Sequence, residues 1–300
     1  MKKSVKRVFT KLLNMFAGLF SDKLFLKLKY HLATGQKLDL SNPTTFDEKL
    51  QYLKLYNHNP KYTELVDKFE VKKYVESLIG KEYVIPTIGI YQSFEEINFD
   101  LLPKQFVIKC THDSGGLVVV KDKSKVNIES IKKKITKSLR HNYFKFTREW
   151  PYKNVKPRII IEEYIELGSK ENHYDYKFMC FNGIPKYLFL DVGVIGSDGG
   201  HADEYYRNIY DMNFDLQPFR ETRRNTPYLV EKPKNFEKMV EIAAILSKSI
   251  PHVRVDLYNV GGKIYFGEIT FFHGSGINNK FIPDEYSKKM GDLIDLSSCK

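Results

Sequence analysis

The sequence predicts an α+β protein of two lobes, preceded by a basic helical segment. Three observations predict it. Strand-like runs alternate with helix-like runs in two successive blocks, a glycine hairpin closes the second block, and the first 37 residues set cations between apolar residues at helical spacing.

The first segment, residues 1–40, holds most of the chain's charge. Nine Lys or Arg stand against Asp22 alone between Met1 and Lys37, a net +8 of the chain's +11. The remainder is only mildly basic, which argues against a nucleic-acid partner. Val5, Val8, Phe9, Leu12, Leu13, Phe16, Leu19 and Phe20 recur at helical spacing. Such a helix can lie on an anionic membrane surface, or it can pack on the protein's own core or a partner subunit. A membrane-crossing span is not expected, because Lys11 and Asp22 bracket too short a stretch for the ~20 residues a bilayer requires. Nor does a weak apolar run followed by lysines read as a cleaved leader.

Residues 41–80 are expected to be helical. Ser41 to Thr45 form a turn, and Glu48 stands three residues after Thr45 as in a capping box, opening a helix over 46–55. A second helix is expected over 62–78, ended by Gly80. Residues 81–165 form the first lobe, with strands near 84–90, 106–109 and 117–121, a charged helix over 128–143 and a strand over 159–164. Residues 166–296 form the second, with strands over 175–181 and 186–194 and around 207–210. A polar loop over 221–234 with Pro227 and Pro233 precedes a helix over 236–248. With 42% hydrophobic and 14% aromatic residues, the chain can bury a sizeable core. Cys110, Cys180 and Cys299 stand at no metal-ligand or redox spacing and are expected to stay reduced.

The last strand pair carries the sharpest chemistry. Val253 to Tyr258 and Lys263 to Thr270 alternate apolar and polar residues on either side of Gly261-Gly262, a pair that takes positive φ at no steric cost. That register puts Asp256, Glu268 and Thr270 on one side. Two carboxylates and a hydroxyl suit a hard cation such as Mg²⁺ carrying a nucleotide phosphate, although an ordinary hairpin with a polar wet face has the same pattern. A second segment adds weight. An otherwise apolar strand from Phe106 ends in Lys109, and the loop His112-Asp113-Ser114-Gly115-Gly116 leads into another apolar strand. Backbone N–H groups of such a loop, with Lys109 beside them, can cradle phosphate. It is not a Walker A loop, since no Gly-Lys-Ser/Thr follows.

Strand-Lys-loop-strand, the acidic pair Glu162-Glu163 after an apolar strand, Asp175-Tyr176-Lys177-Phe178 and the carboxylate hairpin follow the motif order of the ATP-grasp superfamily. Within it the chain closely resembles the TupA-like ATP-grasp family, associated with bacterial cell-surface polysaccharide synthesis. The likeness runs from Thr45 to Leu293 and includes Asp67-Lys68, Arg148-Glu149-Trp150, Lys156-Pro157-Arg158, Arg207-Asn208, Arg254-Val255-Asp256 and Gly274-Ser275-Gly276.

The resemblance implies an ATP-grasp fold whose two lobes clasp ATP, and a cytoplasmic enzyme, with the N-terminal helix as a possible contact to the inner membrane face. It implies that Lys68 and Lys109 contact phosphates, although Lys68 also fits a solvated helix face. His112 to Gly116 would be a flexible loop closing over the phosphates. Glu162 and the backbone of Glu163, Tyr164 and Ile165 would read adenine, Asp175 the ribose, and Lys177 would stand near the phosphates. Arg207 and Arg254 would steady a substrate carboxylate or its acyl phosphate. Asp256 and Glu268, with Thr270 where many ligases have Asn, would ligate Mg²⁺. His273 stands where the family often has Pro, and packing beneath the Gly274-Ser275-Gly276 turn explains it as well as catalysis does. The implied activity is ATP-dependent carboxylate–amine ligation joining an amino acid to a uronic acid in a surface glycan or its lipid-linked precursor. A carbohydrate kinase on the same fold and a membrane-associated accessory protein or glycosyltransferase are the alternatives, though no Asp-x-Asp pair supports the last.

Overall fold

The structure, a computed structural model, describes residues 3–113, 115–166, 174–194, 202 and 204–299. Two antiparallel sheets divide the described strands as the two-block alternation predicts. The first sheet runs β1 (Thr87–Tyr91), β4 (Ile159–Glu163), β2 (Phe106–Cys110), β3 (Leu117–Val120). The second runs β7 (Tyr206–Tyr210), β6 (Ile184–Val192), β5 (Tyr174–Phe181), β8 (His252–Val260), β9 (Lys263–Thr270).

Each sheet has its own core. Phe106, Ile108, Ile159 and Ile161 of the first sheet pack against Ile131 and Ile135 of α6 (Ile128–Leu139). On the second sheet, Phe178, Val255, Leu257 and Ile269 cluster with α8 (Phe236–Ser247), where the Phe178 and Phe236 rings lie 6.0 Å apart. That larger core also takes in Phe46 and Leu50 of α3 (Phe46–Tyr56), Tyr62 and Leu65 of α4 (Lys61–Val66), and Val71 and Val75 of α5 (Glu70–Ile79). The helices of residues 41–80 are therefore built onto the second sheet.

The capping box is present: the Thr45 hydroxyl accepts the Glu48 N–H, and the Glu48 carboxylate accepts the Thr45 N–H at 3.0 Å. Three elements differ from expectation, each for a local reason. The helix expected over 62–78 breaks at Asp67, whose Oδ1 accepts the N–H groups of Phe69 at 2.8 Å and Glu70 at 3.2 Å and competes with the helix ladder. The helix expected to reach 143 stops at Leu139. Asn142 then caps α7 (Tyr143–Thr147) by accepting the Lys145 N–H at 2.8 Å. The first strand starts at Thr87 rather than near residue 84, after Pro86, which has no N–H to give a ladder.

At the N-terminus α1 (Lys3–Met15) and α2 (Asp22–Thr34) share a small core of Leu13, Ala17 and Phe25. Arg148 ties this pair to the body. Its Nε lies 2.8 Å from Asp22 Oδ1, its Nη2 donates to the Ala17 carbonyl at 2.5 Å, and its guanidinium lies over the Phe25 ring at 4.3 Å. No described helix is long and apolar enough to cross a membrane.

Candidate active site

The hairpin turn sets the geometry of the site. Gly261 and Gly262 have φ of 58° and 84°, the left-handed pair that a two-residue turn requires. The resulting register sets Asp256 opposite Glu268 and Arg254 opposite Thr270. A bulge follows between Asp256 and Leu257, with Gly267 as the added residue on the facing strand. A Cβ at Gly267 would stand 3.1 Å from the Asp256 carbonyl oxygen. Neighbouring strands extend the row: Lys177 pairs with Asp256, Asp175 with Asp191, and Asp191 with Arg207. Residues directly opposite one another, or two apart on a strand, share a face. One face of the second sheet thus carries Arg207, Asp191, Asp175, Lys177, Arg254, Asp256, Glu268 and Thr270, while the other packs on α8.

The charges on this face hold one another. Arg254 grips both Asp256 oxygens at 2.7 Å and reaches Glu268 Oε1 at 2.8 Å. The Thr270 hydroxyl donates to the same Glu268 oxygen at 3.1 Å. Lys177 is ion-paired with Asp175 and lies 3.6 Å from Asp256 and 3.7 Å from Asp191. Burial lowers the Lys177 pKa, but Asp175, Asp256 and Asp191 outweigh it and raise the ammonium above its ordinary value. Burial pushes the Asp256 carboxyl up to about 6, against the pull of Arg254 and Lys177 and with the repulsion of Glu268 and Asp175. At Glu268 burial opposes ionisation, yet Arg254, Lys68 and Lys177 hold its carboxyl below the usual range.

Across from this face stand Lys109 of the first sheet and the lysines of the α4–α5 segment. Lys109 and Lys72 each lie 2.5 Å from one oxygen of Glu162. Lys72 also donates to the Ile85 carbonyl at 2.6 Å and the Thr87 hydroxyl at 2.9 Å. The Glu162 carboxylate, expected with the backbone of residues 163–165 to read adenine, is committed to two lysines. Lys68 is likewise not on a solvated helix face. It sits in the break after α4, burial lowers its pKa, and its ammonium reaches the Asp113 carbonyl. Glu268 of the second sheet and Lys109 of the first both act on Lys68, and the Tyr258 phenol, raised by burial, also feels Asp175, Glu268, Asp256 and Glu162. Both sheets therefore face one electrostatic compartment.

The loop after β2 is held at its start by two side chains. His112 and Asp113 are buried; His112 Nε2 lies 3.1 Å from the His141 carbonyl, and the Asp113 carboxylate accepts the Ser138 hydroxyl. A Cβ at Gly116 would meet the Ser138 Cβ at 2.6 Å, so glycine is required there, whereas Gly115, at φ 124°, faces open space. Ser114 lies outside the described residues.

Arg207 requires the largest correction. Its Nε and Nη2 close on Asp191 at 2.5 and 2.7 Å, and its Nη1 is ion-paired with Glu221. The fork expected to hold a substrate carboxylate is taken by buried protein carboxylates. From Glu221 the network continues through His273, whose Nε2 lies 3.1 Å from Glu221 Oε1 and whose Nδ1 lies 2.9 Å from Arg254 Nη1. Arginine can only donate, so Nδ1 accepts and Nε2 carries the proton toward Glu221. His273 therefore links the two arginines. Burial lowers its pKa, which keeps the neutral tautomer in place.

Sequence reasoning missed Lys72, Asp191 and Glu221. Asp191 could have been found, because it falls in the strand beside Asp175 with matching pleat. Lys72 stands four residues after Lys68, but the helix that would relate them is broken. Glu221 carried no signal in its polar loop. Toward a metal the donor set is modest: no group of three His, Cys, Asp or Glu among the described residues forms a metal cluster. Asp256, Glu268 and Thr270 are oxygen donors of the kind a hard cation takes, with the buried and unpartnered Asp175 Oδ1 nearby, but Arg254 holds both Asp256 oxygens and Glu268 Oε1, so a cation would have to displace it. A cavity of about 1010 Å³ opens at the β5–β7 end, lined among others by Tyr174, Tyr205, Tyr206, Tyr228, Arg223 and Arg224.

Solved structures similar to the chain are distant. The D-alanine–D-alanine ligase of Bacillus anthracis complexed with ATP shares 17% identity over 69% of this chain and 53% of its own, with a TM-score of 0.39. The D-cycloserine synthetase DcsG shares 14% over 77% and 69%, with a TM-score of 0.44. The ATP-grasp ligase PsnB complexed with minimal precursor, Mg and ADP shares 9% over 82% and 66%, with a TM-score of 0.37. The chain spans about half the length of the first of these, and likenesses this distant carry no argument about activity. No curated protein matches. The sequence profile of the TupA-like ATPgrasp family, by contrast, matches residues 48–295, most of the chain and both lobes. The chain belongs to the TupA-like ATP-grasp family.

Proposed function

We propose that the protein is an ATP-dependent carboxylate–amine ligase of cell-surface polysaccharide synthesis, joining an amino acid to a uronic acid of a glycan or lipid-linked precursor. The observation that carries this reading is the single sheet face on which Lys177, Arg254, Asp256 and Glu268 converge opposite Lys68 and Lys109. Lysines from two lobes facing two carboxylates match the needs of a nucleotide triphosphate held with a cation. Asp256, Glu268 and Thr270 would hold Mg²⁺, which when bound offsets phosphate charge. Lys68, Lys109 and Lys177 would orient the phosphates, and Arg254 would stabilise charge gathering on the transferred group. The γ-phosphate would pass to the uronate carboxylate, and attack of the amine on the acyl phosphate would give amide, ADP and phosphate. Positioning and electrostatics supply this chemistry without an enzymic nucleophile. Arg207, closed on Asp191 and Glu221, would act by holding the His273–Arg254 arm in place. The cavity beside β7 suits a sugar acceptor, since tyrosine rings offer apolar faces with polar edges and the arginines attract a carboxylate.

Hydroxylamine added with ATP, Mg²⁺ and a uronic acid acceptor should trap a hydroxamate, because an acyl phosphate is intercepted by any strong nucleophile. Glu268→Gln, a change at a half-buried position, should remain folded and lose roughly 100-fold or more in turnover. An acid-stable sugar phosphate in place of the hydroxamate would make the protein a carbohydrate kinase. Full activity of Glu268→Gln would remove the proposed metal site.

A further inference from the structure

The structure leaves the broad apolar side of α1 uncovered. Leu13 and Ala17 turn inward onto Phe25, at 7% and 0% exposure, while Val8, Phe9 and Leu12 stand 56%, 51% and 42% exposed and Leu19 80%. At about 100° per residue, Val5, Val8, Phe9, Leu12 and Met15 fall within a stripe of about 120°, and the inward-facing Leu13 lies just past its Phe9 edge. The same wheel puts Arg7 and Lys11, both exposed, beyond the Met15 edge, and Lys6, half-buried, past Leu13 beyond the other. On α2, Leu24 and Leu28 are exposed, with Lys23 and Lys27 one position round the helix. Lys23, Lys27 and Lys37 line a recess of about 360 Å³.

We propose that the α1–α2 hairpin is an interfacial docking face for a bilayer containing anionic lipids. Apolar side chains would enter the headgroup–acyl boundary, and the flanking Lys and Arg would meet lipid phosphates. The narrow inward side is already occupied, so the helix docks on the body through one face and offers the other. Charge decides between a membrane and a second copy of the chain: a dimer through this face would bring two segments of net +8 together, whereas an anionic surface neutralises them. The Arg148 contacts to Asp22 and Ala17 fix the hairpin to the lobes. Binding would therefore hold the whole molecule at the membrane surface without a crossing helix. This inference does not depend on the nucleotide reading.

Co-sedimentation of the full chain with vesicles tests it. The protein should pellet with mixed phosphatidylcholine–phosphatidylglycerol vesicles, remain in solution with phosphatidylcholine alone, and release as salt is raised. Phe9→Asp combined with Leu12→Asp, at exposed positions and with an unchanged circular dichroism melt, should lower partitioning roughly tenfold or more. Charge reversal at Lys6, Arg7 and Lys11 should do the same on anionic vesicles. Failure of the intact chain to pellet with anionic vesicles overturns the proposal, as does unchanged pelleting of the Phe9/Leu12 variant. A concentration-dependent dimer that dissociates in that variant and ignores vesicles would assign the face to self-association instead.

Discussion

Glu162 sits where two lysines from different elements meet, Lys72 from α5 and Lys109 from β2, and among the described residues neither lysine is ion-paired with another carboxylate. Burial raises the Glu162 pKa, but the two ammonium groups outweigh it and bring it below the usual value. A carboxyl whose folded pKa is depressed stabilises the fold above its unfolded pKa, about 4.3, and loses that contribution as pH falls through the folded value. Glu162→Gln should therefore flatten the acid limb of stability. It should also cost about 3–5 kcal/mol at neutral pH, because a buried and a half-buried lysine lose their partner. Urea melts of both proteins at neutral and acid pH check this, and a loss that stays constant across that range would contradict it. At this scale the sequence was legible where a strand's pleat dictates direction. Lys109, Lys177, Asp256 and Glu268 lie where alternation puts them. Lys68 and Arg207 were not legible in the same way, because their partners, the Asp113 carbonyl and the Glu221 carboxylate, come from loops distant in sequence.

Among elements, the β8–β9 hairpin and the α3 cap were readable because each is specified within a few residues, by a glycine pair and by Thr45 with Glu48. The break between α4 and α5 was not, since a side-chain bond from Asp67 had to outcompete a continuous helix ladder. Helix α9 (Glu285–Asp292) shows a constraint of a third kind, visible only in the packed structure. A Cβ at Gly291 would stand 2.8 Å from the Thr45 carbonyl carbon and 2.9 Å from the Phe46 nitrogen, at the capped start of α3. Helix propensity alone favours alanine over glycine by about 1 kcal/mol. The obstructing atoms are backbone and cannot rotate away, so the steric term decides the sign. Gly291→Ala should destabilise by about 1–3 kcal/mol in urea unfolding. A stabilised variant would show that α9 can shift off α3 without cost.

For the whole molecule, the two cores differ in size, and that sets which lobe opens first. The second sheet shares its core with α3, α4, α5 and α8, whereas the first relies on α6 and a few 3₁₀ turns. Local opening free energy follows the apolar surface a unit buries, so amides of β2, β3 and β4 should exchange faster than those of β5, β6 and β8 in the free protein. The candidate site spans both sheets, with Lys109 and the loop after β2 on the first and Asp256 and Glu268 on the second. A nucleotide bound there would favour the state in which the lobes are both folded, by about 2.7 kcal/mol at a ligand concentration 100 times its Kd. Mg²⁺ with a non-hydrolysable ATP analogue should therefore slow exchange most in β2, β3 and the intervening loop. The second sheet, already near the global limit, should gain only what global stability gains. Hydrogen exchange resolved by peptide checks both parts. Equal protection of the two sheets in the free protein would contradict the core argument. Protection that rises in the second sheet alone would put the nucleotide elsewhere than between the lobes.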